Sequence, residues 1–556
     1  MTNKDIARLF NKLASLMELH GANPYKTRSY SNAYIQLRKL STPLSEMSDE
    51  EIGSIKGVGK SLASKIKEIL ETGSFVALNE FLEKTPVGVQ EMLDIKGFGA
   101  KKIKTIWKEL GTETLGELLY ACNENRLVAL NGFGHKTQKD LIKKIEYYLQ
   151  SRDKFHYATL EASALELVKI LQKKLPTATV ELTGEIRRYC PILNKIEIII
   201  GSDEAIDSIF DKKLTLLEQQ ENKYAVKIPT EYPTVIYHYP LSQFGSKQFS
   251  HTGSRAFLEG VVSLCEGVDF SNLSTEVAVF EKAGLPYIMP ELRENAKILS
   301  KTTQRQPPAL LEEKEIKGVI HSHTTYSDGI NTLTEMAEYA QSLGYEYIVI
   351  TDHSKAAFYA NGLKPDRVLA QMEEIDALNE QLAPFKIYKG IESDILNDGS
   401  LDYEEDILAR FDFIIASVHT NLKMDETKAT ERLLTAIKNP YTTMLGHPTG
   451  RLLLSREGYP IDHKAIIDAC SEHQVAIELN ANPYRLDLDW TWIEYAMSKN
   501  VKISINPDAH STGGIHDIHF GVLAARKGGL TAEMCFNTMG SQELDEYIAA
   551  KKEGIL

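Results

Sequence analysis

The segment GVIHSHTTYSDG (318–329) begins a series of seven apolar runs that decides the fold of this chain. Each run starts as a short apolar strand, and helical or loop segments of tens of residues separate successive runs. This alternation of strand and helix is typical of a parallel barrel. The runs are GVIHSH (318–323), YIVITDH (347–353), FKIYKGIE (385–392), FDFIIASVH (411–419), TTMLGH (442–447), VAIELNAN (475–482) and VKISINPDAH (501–510).

Six of the runs end in His, Asp or Glu, and the run over 475–482 ends in Asn. Side chains at the carboxyl ends of barrel strands converge on one face, where barrel enzymes keep their chemistry. His321 and His323 lie two apart on a strand, as do Asp508 and His510, so each pair is expected to point to one side. The candidate metal ligands are His321, His323, Asp328, His353, Glu392, His419, His447, Asp508 and His510.

These nitrogen and oxygen ligands are too many for one ion, and they predict roughly two or three divalent ions bridged by carboxylates. Imidazole with carboxylate suits Zn²⁺, Mn²⁺ or Fe²⁺. Such clusters activate water and clamp a phosphoryl group for in-line attack. A single His at a strand end is usually an ordinary loop residue, whereas a ligand at successive strand ends favours a metal site. Four histidines outside the pattern are expected to be ordinary, namely His463, His473, His516 and His519.

The ligand-bearing segments resemble the PHP (polymerase and histidinol phosphatase) family of metal phosphoesterases. The matching segments are HSHTTYSDG (321–329), TDHS (351–354), GIES (390–393), SVHT (417–420), GHP (446–448) and PDAH (507–510). The resemblance spans roughly 316–556 and implies a distorted (β/α)7 barrel. HPTGRLLL (447–454) and ELNANPYRLDLD (478–489) are similar to the PHP domain fused to bacterial family X DNA polymerases.

Catalytic roles in this barrel are assigned to four of the ligands and one arginine. Arg451 and Arg485 lie near strand ends and are candidate phosphate contacts. The predicted catalytic residues are His321, His323, Glu392, Asp508 and Arg485.

A motif of an apolar residue, G-φ-G and a basic stretch recurs three times near the amino terminus. Its copies are IKGVGKSLA (55–63), IKGFGAKKI (95–103) and LNGFGHKTQ (130–138). Two glycines permit a tight turn, and the following helix begins with free backbone N–H groups that suit a phosphate. A helix C-cap followed by a turn gives the same pattern, but three copies resemble the helix-hairpin-helix repeat, which reads the DNA backbone without sequence preference. The predicted DNA contacts are Gly57, Gly59, Lys60, Lys65, Gly97, Gly99, Lys101, Lys102, Gly132, Gly134 and Lys136.

Two amino-terminal segments resemble the corresponding domain of family X polymerases, HGANPYKTRSYSNAYIQLRKL (20–40) and KGVGKSLASKIKEILETG (56–73). Some members of that family use a lysine as a Schiff-base nucleophile on abasic sugars, and the matching position is Lys65. A solvated helix lysine or a phosphate contact is the interpretation that we favour for Lys65.

The segment TGEIRRYCPILNKIEIII (183–200) resembles the palm of family X polymerases, with departures at its metal ligands. Gly184, Arg187 and Arg188 match the family signature, which implies that the two arginines could grip a primer end. Lys195 and Glu197 replace the first two aspartates, and Ile236 in PTVIYHY (233–239) is assigned the third position. A lysine ammonium repels a metal ion, so we expect no Mg²⁺ at the palm and no nucleotide addition. Lys195 and Glu197 share a strand face and are expected to pair.

The resemblances divide the chain into six parts. They are 1–80, an N-terminal helical domain with the first hairpin; 81–150, a fingers-like domain with two hairpins; 151–252, the degenerate palm; 253–295, a thumb that includes GLPYIMPELRE (284–294); 296–315, an ordered linker; and 316–556, the PHP barrel. HTGSR (251–255) is similar to the turn after the third palm strand.

Composition is compatible with this organisation. Of the 556 residues 43% are apolar, and the net charge is −14, although residues 1–150 carry 22 Lys and Arg against 18 Asp and Glu. Local basic patches, and not total charge, indicate a surface that binds nucleic acid. The chain lacks an apolar run of membrane-spanning length, its first residues lack a signal sequence, and its five cysteines are scattered, so we expect a cytoplasmic protein.

The sequence thus predicts a DNA-binding, metal-dependent phosphoesterase, acting as a 3′–5′ exonuclease or in 3′-end processing during DNA repair. Its expected partner is gapped or 3′-recessed duplex DNA. Two alternatives stay open, a small-molecule phosphomonoesterase similar to histidinol phosphatase and a non-catalytic DNA-binding scaffold. The first needs no DNA-binding half, and the second leaves the complete ligand set unexplained.

Overall fold

The computed structural model describes the whole chain apart from residues 41, 96, 124–125, 131, 303–306 and 555–556. The chain divides into two compact units, Met1–Arg152 and Asp153–Leu556. Lys96 and Asn131, which belong to the second and third G-φ-G motifs, lie outside the described residues, as does part of the predicted linker. Within the described part of the chain, no helix is both long enough and apolar enough to cross a membrane.

The first unit is helical, as the amino-terminal pattern predicts. One apolar core extends from Ile6 to Ile145, so the ranges 1–80 and 81–150 pack around the same centre. Helix α1 begins with a capping box in which Thr2 and Asp5 satisfy each other's backbone N–H groups. The helices are α1 Asn3–Leu19, α2 Pro24–Leu37, α3 Asp49–Ser54, α4 Lys60–Thr72, α5 Val76–Glu83, α6 Val87–Asp94, α7 Ala100–Leu110, α8 Leu115–Asn123 and α9 His135–Ser151.

The second unit begins with an α/β region. The strands of this region are β1 Phe155–His156, β2 Thr179–Leu182, β3 Ile192–Leu193, β4 Ile196–Gly201, β5 Thr215–Gln220, β6 Lys223–Lys227 and β7 Thr234–Tyr239. Five of them form a sheet of order β2-β4-β7-β6-β5. Strands β4 and β7 are parallel, while the other neighbours in this sheet are antiparallel. The helices of this region are α10 Tyr157–Lys174, α11 Gly184–Arg187, α12 Phe244–Thr252, α13 Arg255–Leu264, α14 Glu276–Lys282 and α15 Lys297–Thr302.

The carboxyl-terminal part is a nearly closed barrel of seven parallel strands, and each predicted run supplies one strand. The strands are β8 Gly318–Ser322, β9 Tyr347–Ile350, β10 Lys386–Asp394, β11 Phe413–Ser417, β12 Met444–Leu445, β13 Ala476–Asn480 and β14 Ile503–Asn506. The helices are α16 Leu333–Ser342, α17 Pro365–Leu382, α18 Glu405–Leu408, α19 Glu426–Ile437, α20 His463–Glu472, α21 Ile493–Ser498, α22 Ile518–Lys527 and α23 Ser541–Lys552. The predicted fold class is confirmed.

Residues that point into the barrel change from apolar to polar along each strand. Tyr388, Phe413 and Ala476 belong to an apolar cluster that fills one end of the barrel interior. Glu392 lies four residues after Tyr388 and Glu478 lies two residues after Ala476, on the same strand faces, and both are buried. Because alternate residues of a strand share a face, this pattern places polar side chains at the carboxyl ends, above an apolar floor.

The first and last strands meet through residues with left-handed backbone. His321 has φ +67° and Asp508 has φ +52°, although neither is glycine. The N–H of His323 donates to the carbonyl of Ala509 (2.8 Å), and the N–H of Ala509 donates to the carbonyl of His321 (3.1 Å). This irregular closure turns His321 and Asp508 into the barrel interior, and such strain is typical of functional sites.

Buried ion pairs join the barrel to the α/β region that precedes it. Lys527 of α22 lies almost completely buried and donates to the carboxylate of Glu294 and to the carbonyl of Arg188 (3.0 Å). His519 contacts both Glu161 and Glu313 at 2.9 Å. The linker also takes part, since Leu311 packs in the barrel core. The α/β region and the barrel therefore form one packed body.

We predict that Glu294→Gln lowers the free energy of unfolding at pH 7 by about 3 kcal/mol, because it leaves a buried lysine without its partner. Burial opposes ionisation, but Lys527 and Arg188 lower the pKa of Glu294 to about 2. The unfolded carboxyl has a pKa of about 4.3, so this stabilisation is complete above that pH and is lost as the pH falls toward 2. Urea unfolding followed by tryptophan fluorescence measures both effects.

The matched control is Glu259→Gln, which removes an exposed pair with Arg255 on α13 and should leave the unfolding curve unchanged. A Glu294→Gln protein with wild-type stability and wild-type acid dependence would contradict the structural importance of this pair.

Candidate metal centre

All nine predicted ligands lie together at the carboxyl ends of the barrel strands. Their ligand atoms form four overlapping groups, within each of which the atoms lie no more than 4.8 Å apart. The groups are His323, Asp328, His353 and His510; His321, His323 and Asp508; His321, Glu392 and His447; and His353, Glu392 and His419. The shared members make the groups one continuous cluster, which could hold several bridged ions.

Glu392 is the centre of this cluster. Its Oε1 lies 3.0 Å from His447 Nε2, 3.1 Å from His419 Nε2 and 3.3 Å from His321 Nε2. Its Oε2 lies 2.9 Å from His353 Nδ1 and 3.7 Å from His323 Nε2. The carboxylate is 1% exposed, so it can bridge ions out of contact with bulk water.

A second set of acceptors fixes how the imidazoles face the centre. The Nδ1 of His321 bonds to Glu478 Oε2 at 2.6 Å, and the Nδ1 of His419 bonds to Asp394 Oδ1 at 3.2 Å. The Nδ1 of His510 bonds to a backbone carbonyl, that of Asp508 (2.9 Å). In each case the opposite nitrogen, Nε2, is left to face the cluster, which is the arrangement found around bound metal ions.

Several atoms at the centre lack hydrogen-bond partners despite being buried. Among the residues that the structure describes, these atoms include His321 Nε2, His323 Nδ1 and His447 Nδ1. A buried polar atom without a partner costs free energy, and here imidazole and carboxylate lone pairs converge on the same space. The donor set therefore fits divalent metal ions of the kind that imidazole and carboxylate prefer.

The ionisation of the cluster is strongly shifted. Burial, with the neighbouring His510 and His353, lowers the pKa of His323 to about 3. Burial opposes the charged form of Glu392, yet His419 and the other imidazoles hold its pKa well below the usual range. Despite burial, Glu392 and Asp394 raise the pKa of His419 to about 10. Because metal ligands must give up their protons, metal binding here releases protons and strengthens as the pH rises.

One side of the cluster is open to solvent. The side chains of His510 and Asp328 are 41% and 36% exposed, while the other seven ligands are at most 12% exposed. Arg485 lies beside the cluster, where its Nη1 donates to Asp508 Oδ2 (2.9 Å). Its Nε is buried without a hydrogen-bond partner among the described residues.

Arg451 does not have the role that the sequence predicts. Its guanidinium donates to Asp489 Oδ2 (2.5 Å) and to the backbone carbonyls of Arg485 and Leu486. With these donors committed, Arg451 holds the loop that carries Arg485 and is not a phosphate contact.

Sequence reasoning missed three acidic residues that organise the site. Glu478 and Asp394 orient histidines, as described above. Asp352 is fully buried and accepts hydrogen bonds from Thr324, Ser327 and Gln371, which fixes the loop that carries Asp328. Each of the three lies in or directly after an apolar strand, where a carboxylate needs a partner, and that position was a usable signal.

The three hairpins have the same backbone geometry. The first glycine of each motif has positive φ, +85° at Gly57, +75° at Gly97 and +85° at Gly132. The second glycine, Gly59, Gly99 or Gly134, is the N-cap of the next helix, and in these described segments no side chain caps the helix.

The helix N–H groups after each second glycine are therefore free to bind a phosphate. The lysines predicted beside them, Lys60, Lys101, Lys102 and Lys136, are exposed. Lys65 lies further along α4 and donates to Ser61 Oγ at 3.1 Å.

The residues assigned to the metal-ligand positions of the palm make internal contacts. Lys195 Nζ lies 2.8 Å from Glu197 Oε1, which is the expected pair. The position assigned to Ile236 is wrong, because Ile236 pairs with Ile198 in the parallel register and packs in the core on the opposite face of the sheet. Tyr237 occupies the face of Glu197, and its hydroxyl donates to that carboxylate (3.0 Å).

The two arginines of the palm motif also have structural partners. Arg187 makes a bidentate pair with Glu276 (2.9 Å for both bonds), and Arg188 donates to Glu294 (2.8 Å) and to the carbonyl of Thr252 (2.7 Å). Both guanidinium groups are mostly buried, which contradicts the expectation that they grip a primer end.

The fold and the site define a class of protein, a metal-dependent hydrolase barrel attached to DNA-binding helical hairpins. Comparison with protein families agrees with this. A helix-hairpin-helix domain matches residues 1–75, a SAM-like helix-hairpin-helix tandem matches 89–146, and a PHP domain matches 320–482. PHP domains are metal-dependent phosphoesterases, and helix-hairpin-helix domains bind DNA.

A relative from Bacillus subtilis (strain 168), the DNA polymerase/3′-5′ exonuclease PolX, is 33% identical over 99% of both chains. The present chain therefore belongs to the bacterial PolX family. Its barrel alone is similar to two smaller proteins named as probable phosphatases. The protein of Thermoanaerobacter sp. (strain X514) is 28% identical over 43% of this chain and 98% of its own length. The protein of Acetivibrio thermocellus is 29% identical over 42% of this chain and 96% of its own length.

We predict that Glu478→Gln weakens metal binding about 10- to 100-fold, because the charged acceptor that orients His321 is lost. Wild-type protein loaded with Mn²⁺ or Zn²⁺ should hold roughly two or three ions per chain by elemental analysis. Competition with a chromophoric chelator measures the affinity. The exposed substitution Glu380→Gln on α17 serves as control, and equal affinity of both variants would show that Glu478 does not orient a ligand.

Proposed function

We propose that this protein hydrolyses phosphodiester bonds at DNA 3′ ends, as a 3′–5′ exonuclease acting in DNA repair on gapped or 3′-recessed duplex. The observation that carries the proposal is the coexistence, in one chain, of a complete ligand cluster with an open side and three hairpins with free helix N-termini. The PolX relative, which is named as a 3′–5′ exonuclease, supports it.

The proposed catalytic residues are His321, His323, Glu392 and Asp508, which would hold Mn²⁺, Zn²⁺ or Fe²⁺ together with the other five ligands. When bound, such ions supply Lewis acidity and make water a stronger nucleophile. Arg485 would bind a non-bridging phosphate oxygen through its guanidinium, which Asp508 keeps in place. Asp328 and His510 mark the side from which the DNA end approaches.

The hairpins supply affinity for the DNA backbone in this proposal. Each binds phosphate through backbone N–H groups and nearby lysines, so binding should depend on salt and little on sequence. Lys65 is proposed as a further phosphate contact because its amine lies beside Ser61 on the first hairpin's second helix.

A second candidate is hydrolysis of a small phosphomonoester, because the two barrel-only relatives are named as probable phosphatases. That function would need only the barrel. The two candidates differ in one respect that can be measured, which is whether the hairpins contribute to turnover.

We predict that Gly97→Val raises the KM for a 3′-recessed duplex and leaves turnover of a chromogenic phosphomonoester unchanged. A β-branched residue does not tolerate φ +75°, so the variant distorts the hairpin and not the barrel. Gly53→Ala on α3 has open space around the new methyl group and is the control. His323→Ala should abolish both reactions. Strong monoester turnover with equal DNA turnover by Gly97→Val and wild type would favour the small-molecule phosphatase.

We also propose that the palm is inactive in nucleotide addition. The Lys195 ammonium is paired with Glu197 where an ion would have to bind. The hydroxyl of Tyr237 donates a hydrogen bond to the same carboxylate. On the other strand of this face, Val235 and Tyr237 offer no carboxylate.

A templated primer-extension assay with Mg²⁺ or Mn²⁺ should therefore show no added nucleotide. The assay is best made in the His323→Ala background, so that hydrolysis by the barrel does not hide extension. Clear extension in that background would refute the inactive palm.

A further inference from the structure

Two neighbouring aromatic side chains lie exposed in the segment that follows the ligand His353. Phe358 is 84% exposed and Tyr359 is 58% exposed. They belong to a single 3-10 turn, Phe358–Ala360, between β9 and α17. Single exposed apolar side chains are common, but adjacent exposed aromatic side chains beside a site can mark a binding surface.

The two exposed aromatic side chains lie in a loop that several hydrogen bonds hold in place. The N–H of Leu363 donates to the carbonyl of His353 (2.8 Å), and the N–H of Gly362 donates to that of Ala357 (3.1 Å). The carboxylate of Asp402, which lies between β10 and β11, accepts a hydrogen bond from the N–H of Ala356 (2.5 Å). These bonds fix the turn to the strand end that carries a metal ligand.

The turn stands next to the open side of the metal centre. The ring of Tyr359 lies 6.4 Å from the ring of His353, and the rings of Phe358 and Tyr359 lie 6.2 Å apart at 77°. His353 shares its ligand group with Asp328 and His510, the two exposed ligands.

We infer that Phe358 and Tyr359 form a stacking platform for the nucleobase of the terminal nucleotide whose phosphate lies at the metal centre. The inference rests on the proposed function and narrows its substrate class to ends that carry an unpaired base. Stacking on aromatic rings is tolerant of sequence because every base has a π face, which suits an enzyme that removes successive nucleotides. A base can stack there only after leaving its partner strand, so the terminal base pair must open.

The first test compares two duplexes whose 3′-terminal nucleotide is unpaired, one in which that nucleotide carries a base and one in which it is abasic. The wild-type holoenzyme should have a kcat/KM about tenfold higher for the end that carries a base, the scale of one base–aromatic stack. Phe358→Ala should reduce this preference, and Phe358→Trp should retain it. Leu343→Ala, an exposed apolar residue at the end of α16, is the matched control and should keep the full preference.

The second test needs no turnover. An oligonucleotide with 2-aminopurine as its 3′-terminal base and a phosphorothioate terminal linkage should lose fluorescence on binding, because stacking quenches this base. Phe358→Ala should remove the quenching while retaining affinity through the hairpins.

The two tests separate the platform from the nuclease. Quenching that depends on Phe358 in a protein without DNA hydrolysis would refute the proposed function and support the platform. Equal base preference and equal quenching in wild type and Phe358→Ala would overturn the platform, and a protein-docking role for the two rings would give that same result.

Discussion

The carboxylate of Glu392, buried among five imidazoles, is the constraint on which the barrel depends. A lone carboxylate in that position would carry a large desolvation cost. Neutral imidazoles around it would have too few N–H groups to give every buried acceptor atom a hydrogen bond. Divalent metal ions would resolve both problems, because imidazole nitrogens and the carboxylate could bind them. Glu478 and Asp394 accept hydrogen bonds from histidines of this centre and thereby orient them. The irregular strand closure likewise directs ligands toward it.

The α/β region shows the opposite arrangement of its polar groups. Its polar groups satisfy one another, with Lys195 and Tyr237 on Glu197 and with Arg187 on Glu276. Contacts such as the buried pair of Lys527 and Glu294 also hold this region against the barrel. The polar groups of the α/β region are thus paired with one another, whereas those of the barrel converge on one site.

Much of the architecture could be predicted from local pattern, because a ligand that ends an apolar run depends only on strand periodicity. The nine ligands, the seven strands and the positive-φ glycines of the hairpins are of this kind. Ile236 was misplaced because the face of a residue depends on sheet register, which a single sequence does not contain. Arg187, Arg188 and Arg451 were misread because their partners lie 34 or more positions away along the chain. Glu478 was overlooked for a similar reason, since its role follows from a contact with His321 on another strand.

The left-handed backbone at His321 and Asp508 limits how this cluster can change through evolution. Histidine, asparagine and aspartate are among the non-glycine residues that enter this conformation most readily. Glutamate would coordinate a divalent ion as well as aspartate does, yet its longer side chain has no such preference and would start from a different backbone position. Both ion coordination and backbone conformation therefore limit which residue types can occupy these two positions. Homologous chains should vary less in residue type there than at Glu392, where the strand is regular and ion coordination is the constraint.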